Sequence, residues 1–163
     1  FYCEAAEDFY YDGYEDTFDI IFTSPPYFNV ERYSHDDNQS WVRYKDIDNW
    51  NTQFLQKALD NMLPTLRSGG KLCVNISDVY SPSAGKKAWS KICDPMNEFL
   101  DEYTDMEYKG CIGMEMAKRP NSGGAGTVKK TEHNEKQYSE EVLKLSEETV
   151  DKTFCEPIWI FEK

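Results

Sequence analysis

The chain has 163 residues, 30 acidic side chains against 18 basic ones, and a formal net charge of −12. That length suits one domain with its own core, and no apolar run approaches the ~20 residues needed to cross a membrane. The five cysteines (Cys3, Cys73, Cys93, Cys111, Cys155) are scattered without a Cys-x-x-Cys pair, and His35 and His133 lack ligand spacing. Neither structural zinc nor a disulfide framework is therefore expected, and buried thiols in a reducing cytoplasm are.

Phe1-Tyr2-Cys3 is neither a signal peptide nor an initiator, which reads as a piece of a longer protein. Residues 1–17 open on a strand end and pass into an acidic, aromatic loop containing Glu7-Asp8-Phe9. Phe18-Asp19-Ile20-Ile21-Phe22 is the run of a short buried strand. It stops at Thr23-Ser24-Pro25-Pro26-Tyr27-Phe28. Each proline fixes its own φ, removes a donor and holds its predecessor extended. The Ser24 hydroxyl, the Pro25 carbonyl and the Tyr27 ring are then left at the strand's carboxyl end, where open α/β sheets bind ligands. Two acceptors beside an aromatic face suit a planar ring that carries an exocyclic amino group.

Residues 28–50 have no helical or strand period but are dense in aromatic and charged side chains, the composition of a lid or substrate-contact loop. Trp41, Tyr44 and Trp50 could equally pack against the sheet. Trp50, Phe54, Ala58 and Met62, with Leu55, Leu59, Leu63 and Leu66, mark the apolar stripe of a helix over 50–66. Ser68-Gly69-Gly70 is expected to end it, and Lys71–Ile76 to form a buried strand. Residues 81–87 read as a loop. Asp94-Pro95 reads as the start of a helix to about Tyr103, with Met96, Phe99, Leu100 and Tyr103 inward. Tyr108–Met116 reads as a strand whose glycines allow a bulge. Gly123-Gly124-Ala125-Gly126 lacks phosphate-loop spacing, and residues 120–152 are expected to form a mobile insertion with a short helix around Tyr138, Val142 and Leu145. Phe154–Phe161 is expected as a terminal strand antiparallel to Met106–Met116, with Pro157 favouring an edge or a bulge.

Thr23-Ser24-Pro25-Pro26-Tyr27 resembles the Asp/Asn/Ser-Pro-Pro-aromatic motif of S-adenosylmethionine-dependent DNA amino methyltransferases. The form with serine is most similar to the branch that methylates N4 of cytosine. Tyr33, Arg43-Tyr44 and Trp50, and the ending Glu-Pro-Ile-Trp-Ile-Phe-Glu-Lys, also look like that family. The resemblance implies an α/β, Rossmann-like methyltransferase fold, its mixed sheet closed by a terminal antiparallel strand pair, with residues 1–163 forming one partial catalytic domain. It assigns catalysis to Ser24, Pro25, Pro26 and Tyr27, and cofactor contacts to Asp8 and Phe9, with Glu7 as a rival. The implied cofactor is S-adenosyl-L-methionine and the implied partner is DNA with a flipped base, with no metal and no membrane. A prokaryotic or phage-encoded cytoplasmic enzyme of a restriction-modification system is the expected setting. Adenine N6, a glutamine amide in a protein, or a catalytically inactive methyltransferase-like subunit are the alternatives.

No glycine-rich cofactor turn precedes Phe1, so the cofactor-binding half is expected to be missing from the N-terminal side; a permuted order after Lys163 is the alternative. The acidic surplus repels phosphate at long range, so either the basic surface lies on a missing part or DNA contact rests on local basic spots. The densest of these in the later half are Lys118-Arg119 and Lys129-Lys130.

Overall fold

The structure is a computed structural model that describes residues 2–83, 86–115 and 155–163. The elements in chain order are β1 (Phe18–Thr23), α1 (Ser40–Arg43), α2 (Ile47–Asn49), a π-helical stretch (Trp50–Gln56), α3 (Lys57–Met62), a 3₁₀ turn (Leu63–Thr65), β2 (Leu66–Asn75), β3 (Val79–Ser83), β4 (Lys86–Ser90), α4 (Cys93–Tyr103), β5 (Glu107–Glu115) and β6 (Cys155–Glu162). Four strands make one sheet in the order β1-β2-β6-β5. β1 and β2 run parallel, whereas β6 is antiparallel to both β2 and β5. The mixed sheet and its antiparallel pair are therefore present. β1 is its outer strand, paired only with β2 among the described residues.

Residues 47–65 form a single helical run that covers one face of this sheet. The Asp46 side chain accepts from Asn49 N at its start. The apolar stripe is the buried side: Trp50, Phe54, Leu55, Ala58, Leu59 and Leu63 are all buried, as are Leu72, Val74, Trp159 and Phe161 of the facing strands. A π-helical stretch widens the turn where Trp50 and Phe54 pack with ring centroids 5.0 Å apart. On the opposite face β1 is not the buried strand expected from its apolar run: Ile20 and Phe22 stay 58% and 60% exposed, because none of the described residues covers that side.

Four further details differ from expectation. Gly69 and Gly70 do not end the helix, which closes in the 3₁₀ turn at Pro64 and leaves Leu66 already extended. The two glycines instead carry a bulge inside β2, where pairing with β1 jumps from Phe18–Leu66 to Ile20–Lys71. Gly69 has φ +77°, and a Cβ on Gly70 would lie 2.8 Å from the Arg67 carbonyl oxygen. Residues 81–83 and 86–87 are not loop but lie in the paired strands β3 and β4, whose polar composition leaves no apolar alternation to read. Pro157 sits within an inner strand, yet beyond the last β2–β6 pair, Asn75–Ile158, so no ladder bond is lost on that side. Lastly, Tyr103 is exposed and stacks on Phe99 at 6.4 Å, while Met96 and Leu100 are buried as expected. In β5, the expected bulge is present: pairing shifts between Tyr108 and Gly110, where Gly110 has φ +129°.

The start of α4 also shifts. Its first residue is Cys93, and the cap comes from Asp78 at the end of the β2 segment rather than from Asp94. Asp78 Oδ1 accepts from Ile92 N at 2.9 Å and Cys93 N at 3.0 Å, and Oδ2 pairs with Lys91 Nζ at 2.8 Å. Asp78→Ala removes a nearly buried carboxylate from two orphan donors and should cost about 1–2 kcal/mol, read from thermal unfolding. Asp94→Ala, offered as the control, should cost less, since among the described residues Asp94 makes only a 3.9 Å contact with Lys91.

Candidate active site

Parallel pairing carries Thr23 opposite Val74, so the next residues, Ser24 and Asn75, meet at the carboxyl ends of β1 and β2. Ser24 is exposed and its hydroxyl donates to Asn75 Oδ1 at 3.4 Å. Asn75 is buried, and its Nδ2 donates to the Pro157 carbonyl at 3.1 Å. Pro25 is buried and Pro26 half-buried. Past them the chain folds back tightly: Phe28 N donates to the Pro26 carbonyl at 2.9 Å, Val30 N to the Tyr27 carbonyl at 2.9 Å, and Phe28 takes φ +40°. A bulky residue in that region is strained, and burial of its ring against Trp50 at 6.0 Å holds it there.

Tyr27 is half-buried and packs against the core. Its backbone N–H donates to Glu31 Oε2 at 3.0 Å, and its hydroxyl donates to Glu156 Oε2 at 3.2 Å. Burial, reinforced by the charge of Glu156, pushes the phenol well above its ordinary pKa, so it remains a donor. The hydroxyl is thus part of the architecture. Tyr27→Phe leaves the Glu156 carboxylate without this donor and should lower stability by about 1.5 kcal/mol in a urea titration.

The acidic segment before β1 is tied down. Glu7 is 2% exposed and accepts from Arg43 Nη1 at 2.6 Å and the Tyr44 hydroxyl at 3.2 Å. Asp8 pairs with Arg43 Nη2 at 2.8 Å and Lys57 Nζ at 3.1 Å. Arg43, and then Lys57, hold the Asp8 carboxyl below its usual range. Phe9 lies between Tyr2 and Tyr11, 4.7 Å from each ring. A cavity of about 450 Å³ separates this segment from the proline motif, with Glu4, Glu7, Pro26, Tyr33, Ser40 and Phe54 among its walls.

Of the site residues expected from the sequence, the cavity brings together Glu7 and Pro26, with Tyr33 of the aromatic loop; Asp8, Phe9, Ser24, Pro25 and Tyr27 are not in its wall. Glu4 was missed. It is exposed, lines the cavity, and has no hydrogen bond or ion pair among the described residues. Nothing in so acidic a segment distinguishes it by sequence. For the aromatic loop, packing accounts for the fully buried Trp50 and for Tyr44, which lies against the core. Tyr33 stays 71% exposed, and the Arg32 guanidinium sits 4.7 Å over the Trp41 ring. Lys118, Arg119, Lys129 and Lys130, with the 120–152 insertion, lie outside the described residues.

Among the described residues, no group of three or more His, Cys, Asp or Glu side chains could hold a metal ion, and no helix is long and apolar enough to cross a membrane. Burial pushes the Cys93 thiol well above its ordinary pKa and that of Cys73 upward, which makes both poor nucleophiles.

Crystal structures of a protein assigned as a DNA modification methylase from Thermus thermophilus share the fold. The one complexed with S-adenosyl-L-methionine superposes with a TM-score of 0.56 at 16% identity, over 98% of this chain and 53% of that one. A second crystal structure of that protein gives 0.55 at 16% identity, over 98% and 51%. The chain thus spans about half the length of the solved structures it matches. No curated protein matches it by sequence. Residues 18–161 match the N6/N4 DNA methylase family model, an extent that takes in β1, the proline motif, Asn75 and β6. The chain belongs to the DNA methylase family.

Proposed function

We propose that this chain forms the target-base half of a DNA amino methyltransferase, and that Ser24 receives the exocyclic amino group of a flipped base, cytosine N4 in preference to adenine N6. The observation that carries the reading is the exposed Ser24 hydroxyl held at the joint carboxyl ends of β1 and β2. An amino nitrogen on a nucleobase is a weak nucleophile because its lone pair is delocalised into the ring. Accepting its N–H hydrogens at Ser24 and the Pro25 carbonyl localises that pair, so positioning and electrostatics supply most of the effect. S-adenosyl-L-methionine, when bound, supplies a methyl group on a sulfonium centre. The amino nitrogen forms the new N–C bond as the S–C bond breaks, and its proton then leaves to water.

The walls of the 450 Å³ cavity fit the adenosine end of that cofactor: Pro26 and Phe54 offer apolar surface and Glu4 an open carboxylate. Glu7 lies in this wall paired with Arg43, which also pairs with Asp8, and Phe9 packs on Tyr2 of the wall, so Asp8 and Phe9 remain proposed cofactor contacts. The remaining cofactor contacts come from the other half of a longer protein, as does part of the basic surface. Lys118, Arg119, Lys129 and Lys130 are proposed phosphate contacts. Base flipping costs a few kcal/mol, which the Tyr27 face and the exposed Tyr33 offset by stacking.

The test is product identity. Full-length protein is incubated with methyl-labelled S-adenosyl-L-methionine and unmethylated DNA, and the DNA is digested to nucleosides. Label is expected in N4-methylcytosine. Label in N6-methyladenine would reassign the target, and label in neither would replace the enzyme reading with a methyltransferase-like subunit that binds without transferring.

A further inference from the structure

We infer that Asn75 is a positioning residue that sets which way the Ser24 hydroxyl points, making serine a fixed acceptor for the amino group. The inference rests on the reading of Ser24 given above. A hydroxyl has one hydrogen and two lone pairs and rotates to suit its neighbours. A carboxylate or an amide oxygen facing an amino group is an acceptor by construction, whereas a serine is one only if its hydrogen is committed elsewhere.

Here the commitment follows from a chain of groups with fixed polarity. The Pro157 carbonyl can only accept, so the Asn75 amide must turn its NH₂ to it, at 3.1 Å. Asn75 Oδ1 therefore faces Ser24, and it too can only accept. The Ser24 hydrogen goes to Oδ1 at 3.4 Å, and the lone pairs point out from the sheet end. Pro157 is suited to start this chain: β2 pairs with β6 only as far as Asn75–Ile158, so the Pro157 carbonyl is left for a side chain. Asn75 is 5% exposed, which keeps water from reorienting the amide. An apolar side chain would fill the same rung without desolvating an amide, so packing alone gives no reason for asparagine. The Ser24–Asn75 bond is long, as such contacts often are before substrate arrives. An amino group donating to Ser24 would polarise and tighten it.

Two substitutions separate this role from a merely structural one, measured in the full-length protein. Asn75→Asp keeps an oxygen facing Ser24 but, when ionised, offers no hydrogen to Pro157. Asn75→Leu keeps the size and loses both contacts. If Asn75 acts through Ser24, Asn75→Asp lowers thermal stability yet transfers methyl within about twofold of wild type, while Asn75→Leu slows single-turnover transfer about tenfold, the scale of one hydrogen bond. DNA affinity stays unchanged in both. In a Ser24→Ala background, Asn75→Leu should add no further loss of rate. The inference is overturned if Asn75→Asp slows transfer as much as Asn75→Leu, or if Asn75→Leu costs the same factor with and without Ser24. Should Asn75→Leu fail to fold, the Asn75→Asp rate alone decides between the roles. A Ser24→Ala variant that transfers at the wild-type rate would instead remove the reading beneath it.

Discussion

Ser24→Ala is expected to slow methyl transfer by about two orders of magnitude while leaving DNA affinity close to wild type. The reasoning is differential. An acceptor placed at the end of β1 gains most as the amino nitrogen becomes tetrahedral and its N–H bonds polarise, so its loss is felt in the transition state more than in the bound ground state. A preorganised contact of this kind is typically worth about 3 kcal/mol, which is the hundredfold quoted. Alanine leaves the backbone of the motif intact, and Ser24 is exposed, so folding should be little disturbed. Single-turnover transfer measured beside equilibrium DNA binding checks both halves. A rate within a factor of three of wild type would show that this hydroxyl does not touch the reacting group.

The second large effect is on stability. Arg43 spans Glu7 and Asp8, joining the segment before β1 to α1. Glu7 is 2% exposed, so removing its partner strands a carboxylate in the interior, with only the Tyr44 hydroxyl and solvent leakage to compensate. Losing one member of a buried pair costs 3–5 kcal/mol; with the Arg43 side chain itself 30% exposed, about 3 kcal/mol is expected for Arg43→Ala. Urea denaturation would measure it. Arg43→Ala combined with Glu7→Gln should recover part of the loss, because the stranded charge is gone. Asp8 adds a pH signature: its lowered carboxyl contributes stability that is complete above the ordinary carboxylate pKa and is lost as pH falls through the lowered value. Arg43→Ala should flatten that acid limb.

The elements legible in the sequence were those with a strong period or a hard stop. The stripe from Trp50 to Leu63 and the halt at Pro25-Pro26 needed only side-chain spacing and proline geometry. The family match over residues 18–161 bears out the resemblance carried by that halt at the level of the N6/N4 DNA methylase family. What escaped depends on partners distant in the chain. Asp78 caps α4 across 14 residues, and nothing local marks it against Asp94. The β3–β4 hairpin has no apolar alternation. The resemblance makes Glu7 a rival cofactor contact; its bonds to Arg43 and Tyr44 join residues 36 and 37 positions apart, which no local pattern shows. A glycine pair after a helix most often closes its last turn, whereas Gly69 and Gly70 form a bulge where β2 pairs with β1.

The open side of β1 has a consequence for handling the protein. Among the described residues β1 pairs only with β2, so its other side presents a row of backbone donors and acceptors, and Ile20 and Phe22 beside it give an incoming strand something to cover. Against that attraction stands the net charge of −12, whose mutual repulsion keeps copies apart. Repulsion between surface charges reaches only about 10 Å in 0.1 M salt and about 3 Å in 1 M, whereas the pull of an apolar strand does not fade with salt. Dilute buffer is therefore the condition that keeps a solution of this chain clear, and added salt is the condition that lets its edges find one another.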